Sequence, residues 1–330
     1  MKKPLNILII TSEYPTKEHP EAAPFIAREV ELLRSAGVKI DVFPFRGHRR
    51  LFNYFIAWMR AHKKMREKNY DLVHAHFGQS GLLALFPKVY PLVVTFRGSD
   101  VEGILNSKSQ YTLQGKILQL VSRYIAKRAD ECILVSSSML HKLPKREYHI
   151  IPSGIDLDLF KLGSKDNARK TLGLSLEKRY ILFGGNPEQP VKRYNLALEV
   201  VRRVQEQIPD IELITPRNVL HSMIPIYMNA SDVLLMTSSH EGSPNMVKEA
   251  LACDLPIVST DVGDVRERIS GIKGCFVSDT QDFEQIVQHV ILVLNQGTRI
   301  EGRRHLVDLD EKKSASKVLS VYSKAIGQQL

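Results

Sequence analysis

Cysteine is scarce in this sequence, which has three Cys among 330 residues. Cys132, Cys253 and Cys275 are odd in number and lack the paired spacing of metal ligands. This argues against a disulfide-stapled secreted domain and against a zinc site, and it indicates buried thiols in a reducing compartment. We therefore expect a cytoplasmic protein.

Long hydrophobic runs are also missing. No stretch approaches the roughly 18 consecutive apolar residues of a membrane-spanning helix. The apolar run at residues 5–10 is shorter than the core of an export signal and breaks at Glu13 and Pro15. We expect neither a membrane span nor a cleaved export signal.

Two binding fingerprints are absent as well. No G-x-G-x-x-G follows the first strand of either half, at residues 7–15 or 181–190, which argues against a nicotinamide oxidoreductase. The net charge is +10, but no zinc-finger, helix-turn-helix or RNA-binding signature accompanies it, so we expect no nucleic-acid partner.

The positive charge lies in one half of the chain. Residues 1–150 carry a net +11 and residues 151–330 a net −1. Within residues 46–68, aromatic side chains alternate with basic ones: Phe52, Tyr54, Phe55 and Trp58 with Arg49, Arg50, Arg60, Lys63, Lys64, Arg66 and Lys68. The pattern fits an amphipathic helix on the anionic inner face of a membrane, and equally a core-packing helix with a solvated basic face.

Strand and helix patterns alternate along the whole chain. Apolar runs predict strands at 7–10, 39–43, 71–75, 92–96, 131–135, 149–151, 180–183, 211–214, 232–236, 255–258 and 274–277. Helical patterns fall at 25–36, 52–67, 113–128, 194–207, 244–252, 283–294 and 312–326. We predict an α/β protein with two doubly wound parallel sheets and a ligand cleft between them.

The chemistry concentrates at residues 236–267. A predicted strand ends in a polar turn containing Glu241, and a helix containing Glu249 follows. We predict Ser243 as the N-cap and Pro244 as the first helical residue. A helix start at the carboxyl edge of a parallel sheet offers free N–H groups to a phosphate, and the two carboxylates are placed to bracket a ligand.

This stretch resembles the E-x7-E signature of retaining glycosyltransferases of the GT-B architecture, in particular family 4 (group 1). The resemblance implies two Rossmann-like domains: residues 1–155 for the acceptor and 156–310 for the nucleotide-sugar donor. A C-terminal helix, residues 311–330, would then cross back to the first domain. It also implies transfer of a sugar from a nucleoside-diphosphate sugar to a saccharide or lipid-linked acceptor in cell-surface polysaccharide or glycolipid synthesis.

The resemblance also assigns donor-binding residues. The loop FGGNPEQPVKR, residues 183–193, is similar to the one that holds the donor pyrophosphate, although Asn186 stands where relatives often have Arg. Glu241 would hold the hydroxyls of the donor sugar, Glu249 the ribose, and His221 would lie near the base. The full donor set is Gly184, Gly185, Asn186, Lys192, Arg193, His221, Gly242, Ser243, Pro244, Asn245 and Glu249.

On the acceptor side, HAHFGQ at 74–79 and FRGSD at 96–100 resemble two strand-end loops of the family. The second is commonly H-G-S-D, so Arg97 replaces a histidine, and His76 becomes the candidate site histidine. With Asp100, these residues would orient the acceptor. In the first loop, Ala22 and Ala23 stand where relatives often have Gly.

No cofactor is implied, and no metal is expected. Asp156 and Asp158, and likewise Asp308 and Asp310, read D-x-D, but we interpret them as a junction loop and a helix cap. Two alternatives remain open: a nucleotide-sugar epimerase of the same architecture, and a catalytically silent partner of another transferase.

Overall fold

A computed structural model of the chain describes residues 4–16, 22–47, 51–106, 110–279 and 282–327. The chain divides into two compact units. Unit 1 comprises Met1–Ile104, Tyr111–Gly154 and Glu311–Leu330, and unit 2 comprises Leu105–Gln110 and Ile155–Asp310. Each unit is built around one parallel sheet with helices on both faces.

The sheet of unit 1 has the strand order β2-β1-β3-β4-β5-β6, with all pairs parallel. Its strands are β1 (Asn6–Thr11), β2 (Lys39–Pro44), β3 (Leu72–His76), β4 (Leu92–Phe96), β5 (Glu131–Leu134) and β6 (His149–Ile150). The helices of unit 1 are α1 (Pro24–Ser35), α2 (Leu51–Glu67), α3 (Gly78–Leu85), α4 (Ser99–Glu102), α5 (Leu113–Arg128) and, from the C-terminus, α12 (Glu311–Ile326).

The sheet of unit 2 has the order β11-β10-β9-β7-β8, again all parallel. Its strands are β7 (Arg179–Phe183), β8 (Ile211–Ile214), β9 (Val233–Met236), β10 (Ile257–Thr260) and β11 (Cys275–Ser278). Its helices are α6 (Lys165–Thr171), α7 (Tyr194–Gln205), α8 (Ile224–Ala230), α9 (Asn245–Ala252), α10 (Val265–Ile269) and α11 (Phe283–Gln296). Short 3-10 turns cover Ser137–Lys142, Pro190–Lys192, His221–Met223 and Arg303–Leu309.

Both faces of each sheet are buried, which explains why the strands are continuous apolar runs. In β1, Leu8 and Ile10 join a core with α2, α3 and α5, while Ile7 and Ile9 join a second core with α1 and α12. Successive strand residues point to opposite faces, so a strand between two layers of helices must be apolar at every position.

The C-terminal helix α12 belongs to unit 1. Its Val318, Val321 and Tyr322 are buried, and the helix packs against β3, β4 and β5. Glu311, the first residue of α12, lies against Gly154: an added Cβ on Gly154 would be 2.4 Å from the Cα of Glu311. Glycine therefore allows the two backbones of unit 1 to pass in contact.

The predicted elements agree with the observed ones with three main differences. The strand predicted at 255–258 is Ile257–Thr260, because Pro256 cannot donate to the sheet and the pairing with β9 begins after it. The short helices α3, α4, α6, α8 and α10 were not predicted, since they have only four to eight residues and little periodicity. The predicted cap of α9 is corrected below.

Helix α2 has features of both structures considered for residues 46–68, the core-packing helix and the amphipathic surface helix. It buries Ala57, Ala61 and Met65 and exposes Phe52 and Phe55. Arg49 and Arg50 lie outside the described residues. Among the residues that the structure describes, no helix is long and apolar enough to cross a bilayer.

Candidate active site

The loop after β7 brings Lys192 back toward the sheet. An added Cβ on Gly185 would lie 2.8 Å from Cδ of Lys192, so glycine leaves the space that the lysine stem occupies. Gly184 is also confined, because a Cβ there would lie 3.2 Å from Cβ of Met236. These two glycines keep the loop close to the carboxyl ends of β7 and β9.

The loop is closed by its own polar groups. The side-chain Oδ1 of Asn186 accepts the N–H of Glu188 at 2.9 Å, and its carbonyl accepts the N–H of Gln189. Asn186 thus forms a turn of the kind that Asn favours. Its predicted contact with a pyrophosphate stays a prediction.

Lys192 pairs with Glu241, the first carboxylate of the E-x7-E motif. The Nζ of Lys192 lies 2.5 Å from Oε1 of Glu241, which also accepts the hydroxyl of Ser238 at 2.8 Å. Both charged side chains are about one-sixth exposed. A cation and a carboxylate meet here at the carboxyl edge of the sheet, where open α/β sheets bind ligands.

Arg193 has a different position from its neighbour. Its Nε donates to the carbonyl of Thr237 at 2.6 Å, and Nη2 donates to the carbonyl of Ser238. The hydroxyl of Thr237 in turn donates to the carbonyl of Lys192. Burial lowers the pKa of Arg193. Its guanidinium therefore fastens the loop after β9 to the loop after β7.

Helix α9 begins differently from the prediction. Pro244 is the N-cap, with no side-chain cap bond, and Asn245 is the first helical residue. The hydroxyl of Ser243 donates instead to Oδ2 of Asp264 at 2.8 Å, so the prediction of Ser243 as N-cap is wrong. The carboxylate of Asp264, itself paired with Arg268, draws the hydroxyl away from the helix. The side-chain Oδ1 of Asn245 is buried without a partner.

A glycine of the next loop supports the Glu241 turn. Gly263 has φ +59°, and a Cβ there would lie 2.4 Å from the carbonyl oxygen of Gly242. The loop after β10 therefore packs backbone against backbone on the turn that carries Glu241 and Gly242. Asp264 and Gly263 act together on this turn, and the sequence pattern predicted neither contact.

Glu249, the second carboxylate of the motif, is paired with His221. The Nε2 of His221 lies 2.9 Å from Oε1 of Glu249, and the imidazole packs on Phe160 at 5.2 Å between centroids. Burial lowers the pKa of His221, but the hydrogen bond to Glu249 and the negative charges of Glu249 and Asp156 outweigh it and raise the pKa overall. The fold thus brings His221 and Glu249 into contact, and their predicted places near the base and the ribose stay predictions.

In unit 1, Arg97 is the centre of a buried polar cluster. Its Nη2 lies 2.8 Å from both Oε2 of Glu29 and Nδ1 of His76, and Nη1 donates to Ser153. The guanidinium also stacks on Phe25, 5.1 Å from the ring centroid. Only 5% of the side chain is exposed. Its positive charge is therefore matched within the unit by Glu29.

Two histidines complete this cluster. The pKa of His76 is held well below its usual value by burial first, and then by the neighbouring His74 and Arg97. The pKa of His74 falls to about 3, chiefly because of burial. Its Nδ1 meets the hydroxyl of Tyr322 and its Nε2 that of Thr95. Both imidazoles are neutral at physiological pH.

Asp100 shapes the loop after β4. Its carboxylate accepts the backbone N–H groups of Gly78, Arg97 and Gly98 at 2.8 to 3.1 Å, and the side chain is buried. These bonds tie the HAHFGQ and FRGSD loops together, so the structure brings His76, Arg97 and Asp100 into one region. Their predicted roles toward an acceptor stay predictions.

The loop before α1 keeps a conformation that suits glycine. Ala23 has φ 46° and ψ 56°, the left-handed region that L-residues seldom adopt. An alanine here therefore adopts a backbone that glycine favours, at a cost of about 1–2 kcal/mol.

Among the described residues, one group has the composition of a metal site: Glu29, His74 and His76. The guanidinium of Arg97 already forms hydrogen bonds with Oε2 of Glu29 and Nδ1 of His76, two atoms of the kinds that bind metals. The D-x-D motif at Asp156 forms a turn, because Oδ1 of Asp156 accepts the N–H groups of Asp158 and Leu159. Metal-independent activity stays a prediction.

Comparison with known proteins identifies the family. The profile described as "Glycosyltransferase Family 4" matches residues 5–159, and that described as "Glycosyl transferases group 1" matches residues 178–296. The chain belongs to the family 4 (group 1) glycosyltransferases. Unit 1 contains most of the first match and unit 2 contains the second.

A curated relative in this family is the D-inositol 3-phosphate glycosyltransferase of Mycobacterium tuberculosis, 25% identical over 311 residues. The match covers 78% of this chain and 62% of that protein. The chain thus spans less than two thirds of the length of the curated relatives it matches.

Solved structures share the fold. Sucrose-phosphate synthase from Thermosynechococcus elongatus superposes with a TM-score of 0.81 at 16% identity, covering 98% of this chain and all of that one. Anabaena HepE in complex with UDP-glucose gives 0.67 at 16%, covering 97% and 99%. Starch synthase IV from Arabidopsis thaliana gives 0.69 at 12%, covering 99% and 100%. The fold of the family 4 chain is that of the GT-B glycosyltransferases.

Several residues of these clusters were not predicted. Glu29, Ser153 and Tyr322 surround Arg97 or His74, and Ser238 and Asp264 support the E-x7-E turn. Glu29 and Tyr322 come from helices far apart in the sequence, so no local pattern marks them. Asp264 does lie within residues 236–267, directly before α10. A carboxylate in that position is the one sequence feature that could have marked it.

Proposed function

We propose that this protein is a retaining, metal-independent glycosyltransferase that transfers a sugar from a nucleoside-diphosphate sugar to a saccharide or lipid-linked acceptor. Its place would be cell-surface polysaccharide or glycolipid synthesis in the cytoplasm. The observation that carries the proposal is the contact between Lys192 and Glu241 at the carboxyl edge of the unit 2 sheet.

The roles of the donor residues follow from charge. Lys192 would stabilise a departing diphosphate, because a partly buried ammonium interacts strongly with phosphate oxygens. Glu241, next to it, would bind sugar hydroxyls. The N–H groups of Gly242, Ser243 and Asn245 would add donors at the start of α9, whereas Pro244 has none to offer. Glu249 would accept bonds from the ribose while His221 fixes its carboxylate.

One observation supports a nucleotide-sugar as the donor, and another supports a polar ligand as the acceptor. HepE, which shares the fold, was solved in complex with UDP-glucose, and this supports a nucleotide-sugar donor. In unit 1, Oε1 of Glu29 and Nε2 of His76 lie 3.6 Å apart, and these two buried atoms and Nε of Arg97 have no hydrogen-bond partner. Such atoms are uncommon in folded proteins, and their concentration supports a polar ligand on the acceptor side.

The test is thermal stabilisation of the chain by UDP, GDP, ADP, CMP and NAD, measured without added metal. A ligand at about 100 times its dissociation constant adds about 2.7 kcal/mol, a shift of a few degrees. We expect one nucleoside diphosphate to raise Tm selectively and Lys192→Met to abolish that shift.

Lys178→Met is the matched control, because Lys178 also pairs with a glutamate, Glu212, but on the surface of unit 2. It should retain the shift. A shift with NAD alone would contradict the proposal. If the nucleotide binds but Glu241→Ala leaves the native activity or partner function intact, the epimerase or silent-partner alternatives would replace it.

A further inference from the structure

Helix α5 has an apolar face that nothing in the described chain covers. Leu113, Ile117, Leu120 and Tyr124 are 75%, 50%, 63% and 39% exposed. Their spacing of four, three and four residues places them on one side of the helix. The opposite side buries Gly115, Ser122, Ile125 and Ala126. Helix α5 therefore has apolar residues on two sides, and the outer side is exposed to water.

Helix α2 repeats this arrangement. Phe52, Phe55 and Met59 are 69%, 53% and 45% exposed, at spacings of three and four. Large apolar side chains scattered singly over a surface are normal, but an aligned set on each of two helices is the usual mark of an interaction site.

Phe86, which follows α3, joins the two helices. Its carbonyl accepts the indole N–H of Trp58 at 2.5 Å, and its ring stacks on Tyr124 with centroids 6.2 Å apart. Trp58 stacks in turn on Phe55 at 5.8 Å. One continuous surface therefore runs from α2 through Phe86 to α5, and we call it the α2–α5 face.

The charge of this face is predominantly positive. The two helices carry eight Lys and Arg residues: Arg60, Lys63, Lys64, Arg66, Lys116, Arg123, Lys127 and Arg128. Glu67 is the acidic residue of α2, where it pairs with Lys64, and the sequence of α5 contains none. An apolar surface bordered by cations has the chemistry that binds anionic lipid, in which apolar groups enter the interface and cations meet the headgroups.

We propose that the α2–α5 face docks on an anionic lipid bilayer, with Phe52, Phe55, Leu113 and Leu120 entering the interface. A second copy of the chain is a poor fit, since two faces rich in Lys and Arg would repel each other. Docking here would place unit 1 at a membrane surface, where a lipid-linked acceptor would be available. The inference does not depend on that acceptor.

The experiment is co-sedimentation of the full chain with vesicles of mixed phosphatidylglycerol and phosphatidylcholine, and with phosphatidylcholine alone. We expect binding to the anionic vesicles, weakened by salt, and far less to the neutral ones. Lys116→Gln with Lys127→Gln should weaken binding about thirtyfold, because each lysine near the surface contributes about 1 kcal/mol. Leu113→Gln with Leu120→Gln should weaken it about tenfold or more.

Matched controls lie in unit 2. Lys170→Gln with Lys273→Gln, and Leu162→Gln with Leu198→Gln, change exposed residues of the same types and should leave vesicle binding unchanged. Unaltered Tm in every variant shows that the chain is folded, and nucleotide stabilisation tests the proposed function separately.

Equal binding by the unit 1 variants and their controls would overturn the proposal. So would absence of binding to anionic vesicles at any lipid concentration. Self-association of the wild type that is lost in Leu113→Gln with Leu120→Gln, seen by sedimentation velocity, would assign the face to a second copy instead.

Discussion

At the scale of single residues, the structure gives Arg97 a different role from the one that its sequence motif suggests. The motif FRGSD places it where the family commonly has histidine, which suggests a side chain that reaches a substrate. In the fold its guanidinium is 5% exposed and is held by Glu29, His76 and Ser153. Arg97 is first a structural cation, and any contact with an acceptor would be made from this fixed position.

Replacing Arg97 should therefore destabilise unit 1. Arg97→Met leaves the carboxylate of Glu29 without its partner, and breaking a buried pair on one side costs about 3–5 kcal/mol. Urea unfolding followed by the fluorescence of Trp58, the one tryptophan in the sequence, reports on this unit. We expect a lower midpoint for the variant.

Two further variants sharpen this prediction. Arg97→Met combined with Glu29→Gln should recover part of the loss, because no unpaired charge remains. Lys64→Met, which breaks the exposed pair with Glu67, should change the stability by no more than about 1 kcal/mol. A loss as large for Lys64→Met as for Arg97→Met would show that burial of the pair is unimportant.

At the scale of elements, the position of Glu241 depends on a neighbouring loop. The E-x7-E turn follows β9, but the loop after β10 supports it, through Gly263 against Gly242 and Asp264 against Ser243. The adjacent parallel strands β9 and β10 end at the same edge of the sheet, so their loops meet there.

Gly263→Ala should weaken nucleotide binding although Gly263 is outside the predicted donor set. The added methyl would meet the carbonyl of Gly242 at 2.4 Å and must displace the Glu241 turn. We expect at least tenfold weaker binding, about 1.4 kcal/mol, in a calorimetric titration with the nucleotide identified by thermal shift.

The control for this substitution is Gly271→Ala. Gly271 also has a positive φ, +77°, but a Cβ there has no atom within 4 Å. It should suffer the same backbone strain of about 1–2 kcal/mol in stability and keep its nucleotide affinity. Equal loss of affinity in both variants would mean that strain, and not the displaced turn, is responsible.

At the scale of the whole molecule, unit 1 is assembled from both ends of the chain. Helix α12 returns after all of unit 2 and buries Val318, Val321 and Tyr322 against the first sheet. The hydroxyl of Tyr322 lies 2.7 Å from Nδ1 of His74, so this helix also supports the polar cluster beneath Arg97.

We therefore expect Tyr322→Ala to destabilise the unit that contains Trp58. Removing a fully buried aromatic ring costs about 3–5 kcal/mol, whereas Tyr322→Phe removes only a partner of His74 and should cost about 1–3 kcal/mol. Ser320→Ala, on the exposed side of α12, should leave the urea midpoint unchanged. An unchanged midpoint in Tyr322→Ala would contradict the assignment of α12 to unit 1.

The sequence by itself determined the α/β class, the family and most of the long helices and strands. It could do so because sheets buried on both faces require apolar runs, and helices between two environments require a period of 3.6 residues. The E-x7-E motif is local as well: a strand, a turn and a helix that are contiguous in the chain. Glu241 lies in this motif, and Lys192 lies in a separate, equally local loop at residues 183–193.

Tertiary structure alone decided which partners these residues have. The pairing of Lys192 with Glu241 spans 49 positions, and that of His74 with Tyr322 spans 248. The hydroxyl of Ser243 does not cap α9 as predicted, because it donates to Asp264 instead. The uncovered stripe on α5 was also invisible in the sequence, since an apolar residue on a helix looks the same whether it faces a core or water. A pattern records which residues can be buried, and only packing decides which of them are.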